Sequence, residues 1–247
     1  MQEPERQDEP PNTPVVLLNA NAGGGRSGQL EATIRAMLAE MSSDAEVITT
    51  GSIAAGRQAI QTALSQGRGP IVVCGGDGTV ASAAASLLDA GSRQPLGIVP
   101  LGTGNDYAWH TLGVPRELRA ALQVALAGRP RTIDVARVND TWVTNIFAAG
   151  LAGNVAWDVQ ERLAAGRRWA QGPARYTISI LRQILLYYHR LPVLEIRLDD
   201  QPWGTHQMLT LAAMIGPTSG GGYRLAPAAD PYDGRLDLLL MRRMPRL

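Results

Sequence analysis

The first half of the chain alternates short apolar runs with longer stretches of helical composition. VVLLN (residues 15–19), EVITT (46–50), IVVCG (71–75) and PLGIVP (95–100) have the length and character of strands. Each leads into a turn or a helix start: NAGGGRSG follows the first, a helix from about Ile53 the second, GDGT the third and LGTGND the fourth. From Pro14 to about Gly128 this is the βαβα order of a parallel sheet with helices on both faces. Such sheets bind ligands beyond the carboxyl ends of their strands, where the three glycine-rich loops fall.

After Gly128 the pattern changes. RTIDVARVND and TWVTNIFAAG read as paired strands around a turn, and helical stretches follow at about 151–165 and 174–190. Beyond Pro192, VLEIRLD, MLTLAAMIG and RLDLLLMRR are strand-like and separated by turn signals such as DDQPWG. The expected organisation is a flexible tail (1–13), an α/β nucleotide-binding domain (14–128) and a second, mainly β, sandwich-like domain with a helical insert (129–247).

Composition narrows the chemistry. The 45% hydrophobic content is that of a globular protein, and a net charge of +1 argues against a general nucleic-acid binder. No apolar run approaches the roughly 20 residues needed to cross a bilayer, and the polar, proline-rich start is unlike a signal peptide. The single cysteine, Cys74, forms no internal disulfide, which fits a reducing cytosol. All 23 basic residues are arginine. Without lysine a Walker A loop and Schiff-base chemistry are excluded, so a bound phosphate must meet backbone amides, arginine or a metal.

The segment CGGDGTV (74–80) places glycines where a buried strand turns into a helix. Glycine there allows close backbone approach, and the amides of the new helix suit an anion, although a tight turn without a ligand would use the same residues. A triphosphate bound through such turns also needs a divalent ion held by carboxylates. Asp77 and Asp106, on adjacent rim loops, are the candidates. Asp106 also suits a helix cap, and Asp77 a turn.

Together GGDGTV (75–80), PLGTGNDYAW (100–109) and GGGYRLAPAADPYDGRLDLLL (220–240) resemble the diacylglycerol kinase catalytic family, which includes soluble bacterial lipid kinases and sphingosine kinases. The resemblance runs from about Val15 to Arg242. GGDGT is shared with NAD kinases, whereas G-T-x-N-D and D-G-x-L-D are the narrower signature. The resemblance implies a nucleotide cleft between an α/β and a β-rich domain, with ATP and Mg2+ as cofactors. On that pattern Asn19, Thr49 (or Thr50 by a one-residue shift), Gly75, Gly76, Asp77, Gly78, Thr79 and Thr103 bind nucleotide. Asp134 belongs with Asp77 and Asp106 as a catalytic residue. Asp233, with the carbonyls of Asp230 and Arg235, forms a magnesium site, against which stands a plain D-G turn. Ala20 departs from the proline usual after the first-loop asparagine.

Residues 157–190 hold six arginines (162, 167, 168, 175, 182, 190) against Asp158 and Glu161, with Trp157, Trp169, Tyr176, Tyr187 and Tyr188. The alternatives are salt-sensitive docking on an anionic membrane and a helical surface packed on the β domain. His110, His189 and His206 are scattered, and no G-x-S-x-G elbow occurs.

The expected function is transfer of the ATP γ-phosphate to the hydroxyl of diacylglycerol or a related neutral lipid, by a cytoplasmic enzyme with peripheral membrane contact. The alternatives are a non-catalytic nucleotide- or lipid-binding homologue and NAD kinase. Relatives in this family continue past the D-G-x-L-D strand to an acidic turn that carries the proposed general base. The base is therefore expected beyond Leu247, and an open β edge would favour a homodimer.

Overall fold

The computed structural model describes residues 13–165, 174–187 and 191–242. The chain divides into two compact units, Met1–Thr132 and Ile133–Leu247.

In the first unit β1 (Val15–Asn19), β2 (Glu46–Thr50), β3 (Ile71–Gly75) and β4 (Leu96–Pro100) form a parallel sheet in the order β2-β1-β3-β4, and a single turn, α1 (Ala22–Gly25), follows β1. The two central strands are apolar on both faces, as strands covered by helices on each side must be: Val15, Val16, Leu18, Ile71, Val72 and Cys74 have no exposed surface. On one face Val16, Leu18, Val47, Val72, Cys74 and Val99 pack against Ile34 and Leu38 of α2 (Glu31–Glu40) and Ala121 and Leu122 of α5 (Leu118–Ala127). The alternate positions Leu17 and Val73 face Ile60 of α3 (Ile53–Ser65) and Ala83 of α4 (Asp77–Asp89). Ser52 caps α3 by accepting a hydrogen bond from the Ala55 N–H at 3.1 Å.

The strand order places the topological switch between β1 and β3. From β1 the chain moves outward to β2, then returns to the other side of β1 for β3 and β4. Neighbouring loops leave these two strands in opposite directions, and a crevice opens at their carboxyl ends.

The second unit is mainly β. Its centre is the long strand β9 (Gln201–Met214), which pairs antiparallel with β7 (Ile146–Gly150) and β12 (Asp237–Arg242) along its second half and with β8 (Val193–Leu198) along its first. Two short pairs accompany it, β5 (Ala136–Val138) with β6 (Thr141–Val143) and β10 (Thr218–Ser219) with β11 (Tyr223–Arg224). Helices α6 (Leu151–Ala164) and α7 (Ala174–Tyr187) pack on each other.

Two sequence expectations change here. TWVTNIFAAG is not one strand: β6 ends at Val143 and β7 leaves to pair with β9 instead of the hairpin. Asn145 holds the break, accepting from the Ile215 N–H at 2.8 Å and donating to the Thr218 carbonyl at 2.9 Å. DDQPWG is a turn only at Asp199 and Asp200, whose φ values of 46° and 64° make a two-residue hairpin turn. Pro202 lies inside β9, opposite the register shift between Ile196 and Arg197, where a missing donor is tolerated.

Candidate functional site

The rim of the first unit is built on the switch between β1 and β3. Asn19 closes β1, and its Nδ2 donates to Thr79 Oγ1 at 2.8 Å, tying the end of one central strand to the helix that follows the other. Gly75 makes this possible. A Cβ there would lie 2.6 Å from Thr79 Oγ1, so any side chain would push the threonine away.

The loops after β3 and β4 meet backbone to backbone. A Cβ on Gly102 would lie 2.3 Å from Gly76 Cα, and the Leu101 N–H donates to the Gly75 carbonyl at 2.8 Å. Asn105 locks the second loop. Its φ is 53°, it is buried, and its side chain accepts from the Gly102 N–H and donates to the Gly102 carbonyl, both at 2.9 Å. Sequence reasoning gave Asn105 no role of its own. Its signal was asparagine's tolerance of the left-handed conformation in a turn flanked by glycine.

Asp77 opens α4, and its Oδ1 accepts from the Tyr107 N–H at 3.0 Å. Asp106 is buried just before a π-helical turn, Tyr107–Thr111, and makes no side-chain cap to it. Both carboxylates converge on Gly104, where a Cβ would lie 3.3 Å from Asp77 Oδ2 and 3.6 Å from Asp106 Oδ2. Burial raises the Asp77 carboxyl above its ordinary value and the Asp106 charge adds to this, against the lowering by the N–H groups of Tyr107, Asp106 and Asn105. Two carboxylates around a position without a side chain form an all-oxygen donor set, which suits a hard divalent cation. Gly78 and Thr103 are exposed on the same rim, and no side chain caps the amides at the start of α4.

Thr49 and Thr50 fall on opposite faces of β2. The Thr49 hydroxyl donates to Glu31 Oε2 of α2 at 2.6 Å, and with Arg35 it lowers the Glu31 carboxyl. Thr50 is the residue that lines a pocket with Asn19, Thr79, Ser52 and Arg57, where Arg57 Nε donates to Ser82 Oγ at 3.0 Å. Of the two threonines expected from the sequence, Thr50 is the one whose side of the strand lines this pocket. The reason is the two-residue period of a strand, which turns a one-residue alignment slip into a change of face. In the first loop Gly23, Gly24 and Gly25 have φ values of 59°, 75° and 86°, and a Cβ on Gly23 would meet the Leu101 carbonyl oxygen at 2.8 Å. Only glycine fits that approach.

Asp134 was expected with Asp77 and Asp106. It lies in the second unit, where its N–H donates to the Pro231 carbonyl and its Oδ2 accepts from the Gly234 N–H, at 2.9 and 2.8 Å. In that loop Asp230 Oδ1 accepts from the Tyr232 N–H and Asp233 Oδ1 from the Arg235 N–H, at 3.0 and 2.9 Å. The loop therefore has the Asx turns of the plain D-G reading, with each carboxylate keeping one oxygen outside these bonds. Among the described residues no three His, Cys, Asp or Glu side chains gather as a metal cluster.

A model of the diacylglycerol kinase catalytic domain matches residues 13–138, and one of the YegS C-terminal NAD kinase beta sandwich-like domain matches residues 149–247. The chain belongs to the diacylglycerol kinase catalytic-domain family. Among relatives of this kinase family, a Klebsiella pneumoniae (strain 342) protein named "Probable lipid kinase YegS-like" is 34% identical over 227 residues, 91% of this chain and 73% of that one. A protein named diacylglycerol kinase from Mycobacterium tuberculosis H37Rv is 33% identical over 236 residues, 92% of this chain and 72% of that one. A crystal structure titled as a diacylglycerol kinase from Bacillus anthracis Sterne shares the fold, with a TM-score of 0.69 at 24% identity, over 94% of this chain and 74% of that one. The GGDGT and G-T-x-N-D loops of this kinase-family chain are therefore the pair that meet at Gly76 and Gly102. Of the 157–190 cluster, residues 167–169 and 188–190 lie outside the described residues, as does the side chain of Tyr187.

Proposed function

We propose that the chain is an ATP-dependent lipid kinase that transfers the γ-phosphate to the hydroxyl of diacylglycerol or a related neutral lipid, at the cytoplasmic face of a membrane. One observation carries the nucleotide half of this reading. At the switch between β1 and β3, two glycine turns in backbone contact present the uncapped start of α4 beside the paired carboxylates of Asp77 and Asp106. Amides there suit phosphate oxygens, and in a chain without lysine the remaining charge falls to a cation. Asp77 and Asp106 would hold Mg2+, which when bound neutralises the phosphate charge that develops during transfer. Asn19, Thr50, Thr79 and Thr103 supply neutral donors around the same rim. The Asp233 carboxylate oxygen outside its Asx turn, with the carbonyls of Asp230 and Arg235, would hold a second cation.

In the reaction the lipid oxygen bonds to the γ-phosphorus as the bond to the bridging oxygen breaks. ADP leaves and the hydroxyl proton passes to a base. The acceptor class rests on the relatives' names and on the lipid-kinase signature of the loops.

The test is transfer of labelled γ-phosphate from MgATP to a panel of neutral lipids, with NAD as a further acceptor. Label in the phosphorylated product of diacylglycerol is expected. Label in NAD and in no lipid would reassign the chain as an NAD kinase, and tight MgATP binding without transfer to any acceptor would make it a binding protein.

A further inference from the structure

The pocket beside Thr50 runs between α3 and α4, next to the rim. Its floor is apolar: Leu17 of β1, Ile60 of α3 and Val73 of β3 are each at most 3% exposed, while Ile53, at the start of α3, stands at the mouth with 54% of its surface open. Asn19 and Thr79, whose side chains bond to each other at the rim, line it as well. Ser82, on the pocket wall, follows Asp77 by five positions on α4, a rise of about 7.5 Å. A nucleotide whose phosphates sit at the start of α4 thus has room for a ribose before its base meets this floor.

The polar side of the pocket offers donors. Arg57 is the charged residue in the lining, and its Nε donates to Ser82 Oγ at 3.0 Å, which turns the planar guanidinium towards α4. A guanidinium carries further N–H donors and no acceptor, and none of the ion pairs among the described residues includes Arg57. The nearby oxygens are already engaged. Ser52 Oγ accepts from the Ala55 N–H, Asn19 Oδ1 from the Asn21 N–H and Ser82 Oγ from Arg57 itself. The Thr50 carbonyl accepts from the Ala20 N–H and the Gly51 carbonyl from Asn21 Nδ2. No carboxylate lines the pocket.

A base lying on that floor is selected by its polar edge. Adenine presents an amino donor at its six-position, which needs an acceptor. A 6-oxopurine presents two acceptors side by side, O6 and N7, at the spacing of two parallel guanidinium N–H groups. A phosphate would also suit the guanidinium, but the apolar floor and Ile53 favour a flat ring. We infer that Arg57 sets the base preference of this site, and that the chain takes 6-oxopurine nucleoside triphosphates, GTP and ITP, at least as well as ATP. The inference rests on the nucleotide reading of the rim and deepens it. The phosphoryl group and its transfer are unchanged, and the class of nucleotide that carries it widens.

The experiment is calorimetry of the 247-residue chain with MgATP, MgGTP and MgITP, on the wild type, Arg57→Gln and Arg57→Met, with thermal unfolding as the control. The wild type is expected to bind GTP and ITP at least as tightly as ATP. Arg57→Gln has an amide that both donates and accepts, as the adenine edge requires, and should swing the affinity ratio about tenfold or more towards ATP. Arg57→Met keeps the stem without the donors and should lose about tenfold for GTP and ITP while changing little for ATP. The unfolding midpoint should hold in both variants, because Arg57 is exposed. An arginine with a structural role alone would move all three nucleotides together.

Wild-type affinity for GTP below that for ATP would overturn the inference. So would variants that leave the ratio in place, or that weaken all three triphosphates equally, which would put the guanidinium on a phosphate. If no triphosphate binds, the nucleotide reading and this inference fall together. If the preference follows Arg57 but labelled GTP and ATP transfer nothing to diacylglycerol, the lipid-kinase reading fails and the inference stands. If label passes from ATP to lipid while GTP neither binds nor donates, the inference alone is lost.

Discussion

At Asp77, burial and a second carboxylate oppose ionisation while three backbone N–H groups favour it, and burial leads the balance. The folded state therefore holds this proton more tightly than the unfolded chain. In its charged form Asp77 costs stability, and the cost is relieved as pH falls through the raised folded value towards the ordinary carboxylate value. Asp77→Asn keeps an acceptor for the Tyr107 N–H and removes the charge. It is expected to leave stability at neutral pH unchanged or raised by up to about 1 kcal/mol, while affinity for MgATP falls tenfold or more. Thermal unfolding and calorimetry across the acidic range check both parts. Since a cation competes with the proton, wild-type MgATP affinity should rise with pH through this titration and the variant's should not.

The two threonines give a second residue-scale test. Thr50→Val is expected to weaken nucleotide affinity about five- to tenfold, the scale of one hydrogen bond. Thr49→Val should leave affinity alone, since it loses only an exposed bond to Glu31. Equal effects on affinity would mean that the pocket beside Thr50 is not the nucleotide site. The glycine-rich turns of this rim were legible in the sequence, because touching backbones restrict residue type at each position. The choice between Thr49 and Thr50 was not, because propensity and composition do not say which face of an edge strand a residue takes.

At the scale of elements, the two glycine turns and the α6–α7 pair are the weight-carrying contacts. Gly102→Ala forces apart the loops after β3 and β4, whose backbones leave no room for a methyl group. It is expected to cost about 1–3 kcal/mol and to disorder the rim, seen as faster amide exchange at Leu101–Asp106. Asp158→Ala leaves Ser179, Arg162 and Arg182 without their shared acceptor. Because Arg182 is 47% exposed, water takes over part of that role, and a loss of about 1–3 kcal/mol is expected, with the protection of α7 amides falling first. Unchanged exchange in α7 would show that the helix is held by other contacts. The existence of both helices was evident in the sequence. Which side of α7 packs was not, since the periodicity favours burying its leucines and the buried Asp158 on another helix reverses that choice.

For the molecule as a whole, ligand linkage separates the readings without an assay of turnover. Free MgATP at a hundred times its Kd stabilises a state that alone binds it by about 2.7 kcal/mol. The unfolding midpoint of the first unit should therefore rise by some degrees, and Asp77→Asn should abolish the rise. A shift caused by NAD and not by MgATP would move the chain to the other branch of its superfamily. What the sequence determined by itself was the class of each part: the alternation of apolar runs and helical stretches permits a parallel sheet covered on both faces, glycine-rich turns after central strands permit an anion at one rim, and a change of period after Gly128 requires a second, β-rich unit. Those are local constraints, set by which side chains fit a strand, a helix or a tight turn. The tertiary structure decided what depends on partners distant along the chain. It sent Asp134 to the 230–235 loop, turned Thr50 and not Thr49 to the pocket, and faced the aliphatic side of α7 outward, because hydrogen-bond donors and acceptors must be matched in space and a sequence pattern does not say which ones meet.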